Sequence, residues 1–300
     1  MEHRARISAA INHRPVDQLP CAELVITDEI IRDLCRQQAV EFAHRLDFVQ
    51  TMGLDAVCLH PCLTAQPEQS LHKRDLAFAD LTQWVDSGLF TFAVLDGPVG
   101  WSSKLLGFEE MVLGLMRNNG EFAEIVAAVE KLNLAVMEQL AANGVNGLLL
   151  ADDIAFNQGV IARPALLRKN LFPSLARQVE YAKRLGLPVF FHSDGNLMTV
   201  LDDIVAAGFD GLQCIEQLAG MDLGAIKAQY GHTLCLWGNL DPAELLGDRS
   251  PAELEGSVRR IVTAGAAGSG LIFGTSSGLF ERMNLENLKT VYSAARAMTV

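Results

Sequence analysis

LPVFFHSDG, residues 187 to 195, joins an unbroken apolar run to a polar turn. Pro188 stands at the first positions of a predicted strand, where its missing N–H costs least. Val189, Phe190 and Phe191 do not alternate with polar residues, which is the pattern of a strand covered on both faces, as in a parallel sheet. Asp194, Gly195 and Asn196 supply turn and N-cap chemistry for a helix whose apolar positions, Leu197, Val200, Leu201, Ile204 and Val205, follow helical spacing. Gly208 closes that helix. On an extended strand the two-residue period turns His192 and Asp194 to one face, so the pair can bind one metal or one substrate group together.

Working outward, similar strand-like segments occur at PCAELVI from Pro20, LDAVCLHP from Leu54, LFTFAVLDGP from Leu89 and GVNGLLLADD from Gly144. Beyond Gly195 come FDGLQCIEQ from Phe209, TLCLWGNLD from Thr233 and SGLIFGTSSG from Ser269, eight segments in all. Helical patterns fill 28–52, 108–143, 163–186, 196–207, 221–230, 251–264 and 284–298, while 62–88 carries only a short apolar pattern around Leu76 to Val85. Strand and helix in alternation are βα units of a parallel sheet, and eight of them favour a closed (β/α)8 TIM barrel over an open doubly wound sheet. Three hundred residues suit one such domain, 1–300, with an N-terminal helical extension over 1–19 and an inserted helix pair over 104–143 between the third and fourth strands. GAAGSG at Gly265 precedes its strand, whereas a phosphate loop follows one, so no nucleotide cofactor is expected.

A net charge of -12 argues against nucleic acid or an anionic membrane as partner. The N-terminal segment is charged throughout, and no apolar run approaches the roughly 20 residues of a membrane span, so a cytoplasmic location is expected. Cys21, Cys35, Cys58, Cys62, Cys214 and Cys235 read as reduced thiols, mostly in the core. Cys58 and Cys62 lack the second pair that a zinc knuckle needs.

Catalytic residues of such barrels sit at the C-terminal ends of the strands. In chain order those ends are Glu23 or Asp28, His60, Asp96, Asp152 with Asp153, His192 with Asp194, Glu216, Asn239 with Asp241, and Thr275, Ser276 and Ser277. Apolar strands that each end in a His or a polar group converge on one mouth, which is the argument for an enzyme acting on a small molecule. Simpler roles exist for some of them: Asp153 and Asp194 as helix caps, His60 before Pro61 as a turn residue, Asp241 before Pro242 as an N-cap.

HSDGN at 192–196, the run from Leu201 to Gly231, LWGNLDPAELLGD at 236–248, GLIFGTSSG at 270–278 and NLENLK at 284–289 resemble the uroporphyrinogen decarboxylase superfamily. RISAAINHRPVDQLP at 6–20 and LLLADDIAFNQG at 148–159 extend the resemblance over essentially the whole chain. It implies a (β/α)8 barrel and one of two chemistries: cofactor-free decarboxylation of uroporphyrinogen, or methyl transfer between corrinoid proteins and thiols or other acceptors. The decarboxylases carry an arginine-rich segment after the first strand and an Asp at the end of the next, but here those regions read CAELVITDEIIRDL and AVCLHPCL. A substrate bearing many carboxylates needs clustered cations, so uroporphyrinogen itself is not expected.

The methylcobalamin:coenzyme M methyltransferases of the superfamily hold zinc through a His-x-Cys on the fifth strand and a Cys near the last. His192 falls on that His, Asp194 stands at the first Cys, and LIFGTSSG has no Cys. The resemblance thus implies a corrinoid-dependent methyltransferase with a harder zinc site at His192 and Asp194, with Asp152, Asp153 or Glu216 as further oxygen ligands or acid–base groups. Substrate would be positioned by His60, Asp96, Asn239 and Ser276, and methylcobalamin or another corrinoid would arrive on a separate protein docking on an apolar rim near Trp101 and Phe280. The alternatives are a decarboxylase or lyase of a small carboxylated substrate, and a non-catalytic corrinoid- or tetrapyrrole-binding module.

Overall fold

Two residues close the barrel. In the computed structural model, which describes residues 1–36, 39–63, 76–117 and 120–298, Cys21 and Ala22 (β1) bridge in parallel to Phe273 on one side and Ala56 on the other. The remaining strands are Ala56–Leu59 (β2), Phe90–Asp96 (β3), Gly147–Ala151 (β4), Val189–His192 (β5), Gly211–Gln213 (β6), Cys235–Leu240 (β7) and Leu271–Thr275 (β8). They lie side by side in chain order, every pair parallel. The ladder at the seam is short but real: Ala22 N–H donates to Phe273 O at 2.9 Å, Phe273 N–H to Pro20 O at 2.8 Å and Asp55 N–H to Cys21 O at 2.7 Å. Gly274 permits it, because a Cβ there would lie 2.1 Å from Ala22 O.

The alternation along β5 sorts the core into two layers. Phe190 points into the barrel with Phe92 and Trp237, the rings meeting at 5.2 to 5.9 Å, while Val189 and Phe191 pack outward against the helices. Glycines make room for these rings: a Cβ on Gly211 would sit 2.1 Å from the Phe190 ring. Each buried aromatic removes enough apolar surface from water to contribute about 1.5–3 kcal/mol. Helix His3–Ile11 (α1) plugs the far end of the barrel with Ile7, Ala10 and Ile11. Arg6 anchors it by pairing with Asp55, whose other oxygen accepts the Cys21 N–H at 3.0 Å.

Several expected helices are divided. The stretch 28–52 forms Asp28–Cys35 (α2) and Phe42–Met52 (α3), because Arg36 turns left-handed at φ +54. After a short antiparallel pairing of Pro61–Leu63 with Leu76–Phe78 comes Leu81–Asp86 (α4); the part of 62–88 over 64–75 lies outside the described residues. The inserted pair over 104–143 is Phe108–Arg117 (α6) and Gly120–Ala142 (α7), preceded by Pro98–Leu106 (α5), which Gly107 at φ +85 separates from α6. Residues 163–186 give Pro164–Asn170 (α8) and Phe172–Arg184 (α9).

After β5 only Leu201–Ala206 (α10) is helical, with Val200 as its N-cap, so the capping role expected of Asp194 to Asn196 is not used. Leu197 and Val200 are buried all the same, which is why the helical spacing reads through the turn. Leu223–Tyr230 (α11), Pro251–Gly265 (α12) and Leu285–Ala297 (α13) complete the outer ring. No helix among the described residues is long and apolar enough to cross a membrane. All six cysteines are free; Cys21, Cys214 and Cys235 are buried, and Cys62 is exposed.

Candidate active site

The parity that puts Phe190 inside the barrel also turns His192 inward, at the C-terminal mouth, with only 10% of its side chain exposed. Its register partner on β6 is Gln213, and His192 Nδ1 is hydrogen-bonded to Gln213 Oε1. Gln213 Nε2 donates to Ser276 O at 3.4 Å, which fixes the amide so that its oxygen faces the imidazole. An amide oxygen only accepts, so Nδ1 carries a proton, and in the neutral imidazole Nε2 is the nitrogen that presents its lone pair to the mouth. Nε2 lies 3.8 Å from Asp153 Oδ1, and among the described residues nothing hydrogen-bonds to it.

Asp153, at the end of β4, accepts the Asp194 N–H at 3.1 Å, which ties the two loops together. One ligand atom each from Asp153, His192 and Asp194 lie within 4.8 Å of one another. His192 and Asp194 therefore do face the same space, but β5 ends at His192, and Asp194 reaches it from the turn rather than through the strand period. Ser193 locks the turn from behind, its Oγ accepting the Ile154 N–H at 3.1 Å and donating to Asp194 O at 2.8 Å. Gly195 N–H donates to Glu216 Oε2 at 3.0 Å, which draws Glu216 to the same side of the mouth. Cys214, read from the sequence as a core thiol, places Sγ 3.2 Å from Asp194 Oδ1.

Gly195 has φ +85, and a Cβ there would meet Phe156 N at 2.5 Å. Gly195→Ala is expected to destabilise the protein by about 1–3 kcal/mol through both effects, measured as a lower thermal midpoint.

The other expected residues divide between the mouth and the scaffold. Asp194, Glu216, Asn239 and Ser276 line one cavity of about 120 Å³ together with Asp241 and Ser277. Asn239 Nδ2 donates to Ile215 O at 3.1 Å, and Asp241 caps the turn Pro242–Leu245 by accepting the Ala243 N–H at 2.9 Å. Asp152 is set apart. It is buried beneath the first turn of α5, where one oxygen accepts the Gly100 N–H at 2.9 Å, and burial lifts its carboxyl well above the ordinary range.

Asp96 is paired with Lys104 at 2.5 Å, and His60 directs Nε2 to Leu24 O at 2.7 Å, a bond across to the neighbouring segment after β1 rather than within a turn. At the end of β1 the polar group is Glu23, buried and bonded to Thr275 and Tyr292, while Asp28 pairs with Arg45 on the outer layer. Trp101 is not on the rim: it is buried, with Lys104 over its ring at 5.3 Å. Phe280 is exposed there, and Phe156, Met198, Leu218 and Leu246 are exposed in the loops that follow β4 to β7.

Gln213, which orients His192, is not among the residues that the strand ends single out. Its signal was a polar residue ending the apolar run of the neighbouring strand, opposite His192 in register.

A family model described as uroporphyrinogen decarboxylase (URO-D) matches residues 78–298. Among curated proteins, the uroporphyrinogen decarboxylase of Syntrophotalea carbinolica is 25% identical over 182 residues, covering 59% of this chain and 49% of the relative. That of Mannheimia succiniciproducens is 33% identical over 98 residues, covering 31% of this chain and 25% of the relative. The matches thus span about half or less of these relatives' length. Among solved structures, a methyltransferase from Methanosarcina mazei superposes with a TM-score of 0.77 at 18% identity over 98% of both chains. A B12-independent methionine synthase from Shewanella sp. W3-18-1 gives 0.58 at 12% identity over 93% of this chain and 96% of that one. These likenesses agree with the TIM-barrel fold, and the family match runs over most of the chain, from before β3 to the end of α13: the chain belongs to the uroporphyrinogen decarboxylase family.

Proposed function

We propose that the protein is a methyltransferase that acts on a small substrate in the barrel mouth and exchanges the methyl group with a corrinoid carried by a separate protein. The observation that carries this reading is His192, a nine-tenths-buried imidazole whose Nε2 has no hydrogen bond among the described residues and lies 3.8 Å from Asp153 Oδ1, in a triad with Asp194. A nitrogen with surrounding carboxylate oxygens is a donor set that suits zinc. When bound, zinc supplies Lewis acidity that lowers the pKa of a thiol or hydroxyl acceptor.

The chain's own residues do the rest. Gln213 holds the tautomer, and Asp153 and Asp194 offset the cation's charge from the open side. Asn239 and Ser276 border the cavity of about 120 Å³, which suits a small acceptor. Among the described residues Lys104 is committed to Asp96 and Arg45 to Asp28 and Asp80, so neither is available to a polycarboxylate. The exposed Phe156, Met198, Leu218 and Phe280 around the mouth are the kind of apolar rim that a docking protein covers. The Methanosarcina methyltransferase, similar over its whole length, supports the same reading.

The test is metal analysis of the purified protein together with incubation with methylcobalamin and small thiols, followed by the visible spectrum of the cobalamin. About one equivalent of zinc and loss of the methyl–cobalt spectrum are expected. Protein that retains no metal and leaves methylcobalamin unchanged overturns the reading.

Gln213→Leu removes the acceptor that orients His192 while keeping most of the volume. Zinc affinity is expected to fall by about 10–100-fold, measured by competition with a chromophoric chelator.

A further inference from the structure

We propose that Cys214 is a thiolate ligand of the cation held by His192 and Asp194, so that the sulfur of the site enters from β6 rather than from β5. The proposal rests on the metal-dependent reading above. Two triads of donors share Asp194: Asp153, His192 and Asp194 on one side, and Asp194, Cys214 and Glu216 on the other, each with its ligand atoms within 4.8 Å. Asp194 is exposed, so its carboxylate can swing between them. Its Oδ1 already lies 3.2 Å from Cys214 Sγ. An oxygen at about 2.1 Å and a sulfur at about 2.3 Å on one tetrahedral zinc stand about 3.6 Å apart, so little movement is required. His192 Nε2, buried and without a hydrogen bond among the described residues, lies 3.8 Å from Asp153 Oδ1, and His192 shares its triad with Asp194.

The backbone is arranged to put the sulfur there. Alternation beyond Gln213 would turn the next side chain outward; instead Cys214 adopts φ +95 and Ile215 φ +56, and Ile215 joins the outer layer. Left-handed conformations at non-glycine residues are strained and persist where the surroundings impose them. Here Cys214 N–H donates to Trp237 O at 3.2 Å, and Gly238 leaves space for Cys214 O, which a Cβ at that position would meet at 2.5 Å. The thiol is thus held at the mouth, where its hydrogen donates to Asp194 until a cation takes the proton's place.

The probe is Co2+ added to metal-free protein under reducing, anaerobic conditions, with absorbance as the readout. Wild type is expected to bind one equivalent and to develop a sulfur-to-cobalt charge-transfer band in the near ultraviolet. Cys214→Ser, which keeps the volume and the hydrogen bond to Asp194, should lose the band and bind Co2+ at least about tenfold more weakly. Cys58→Ser should keep the band. Cobalt bound to wild type without that band, or a band that survives in Cys214→Ser, overturns the role of Cys214 and leaves the metal-dependent reading standing. Failure of wild type to bind cobalt or zinc at all removes both. The wild-type arm decides the matter even where a variant folds poorly.

Discussion

His192→Ala protein is expected to retain less than about a tenth of the wild-type zinc and to transfer methyl groups about 10³-fold more slowly. A metal acting as Lewis acid contributes several kcal/mol at the transition state, and each 1.4 kcal/mol is a factor of ten in rate. The imidazole is the one nitrogen donor in the Asp153, His192 and Asp194 triad. Without it the mouth offers mainly carboxylate oxygens, a set suited to harder cations than zinc. The substitution also leaves Gln213 Oε1 buried without its donor, which costs about 1–3 kcal/mol of stability and lowers the melting midpoint by a few degrees. Circular dichroism at 25 °C should still show the wild-type spectrum, so the loss of metal can be separated from loss of fold. Gln213→Leu should lie between the two, since it keeps the ligand and loses only its orientation. Full zinc content in His192→Ala would place the metal elsewhere and sink the reading of the mouth.

Much of this site is legible along one strand at a time. The unbroken apolar run of β5 announces burial on both faces, and the period of two then fixes that Phe190 and His192 share the barrel interior. The eight strand ends follow from the same pattern, even where β1 contributes only two residues, because PCAELVI carries the composition of a strand whose length the closure cuts short. What needs two strands at once is hidden. Gln213 matters through its register with His192, and Cys214 through a left-handed backbone that breaks the alternation.

Asp152 and Asp153 make the same point. They are adjacent and chemically alike, yet one turns under α5 and the other to the mouth, because only Asp152 meets the free N–H groups of a helix start. The helix breaks at Arg36 and Gly107 follow from backbone geometry that an amphipathic pattern does not record.

Glu23→Gln is expected to change how stability depends on pH by about 3 kcal/mol between pH 4.5 and 8. Glu23 is buried at the end of β1, where burial, only partly offset by hydrogen bonds from Thr275 and Tyr292, raises its pKa from 4.5 to about 7. Below 4.5 the folded and unfolded chains both hold the proton, and Glu23 contributes its full share of stability. Between 4.5 and about 7 only the folded chain holds it, so stability falls as the pH rises through that window and levels off above it. The glutamine keeps the geometry: its oxygen can accept the Thr275 N–H, now 2.8 Å from Oε1, and the Tyr292 hydroxyl, now at 2.5 Å. Its amide nitrogen can donate to Thr275 Oγ1, with the hydroxyl as acceptor in place of donor. Gln does not titrate, so the difference between the two proteins isolates this group, and the raised carboxyl of Asp152 cancels because both carry it. Melting midpoints recorded from pH 4.5 to 8 should show the variant gaining on wild type by roughly 5 °C as the pH rises. Parallel curves for the two proteins would mean that folding does not raise the pKa of Glu23, and that the three hydrogen bonds balance its burial.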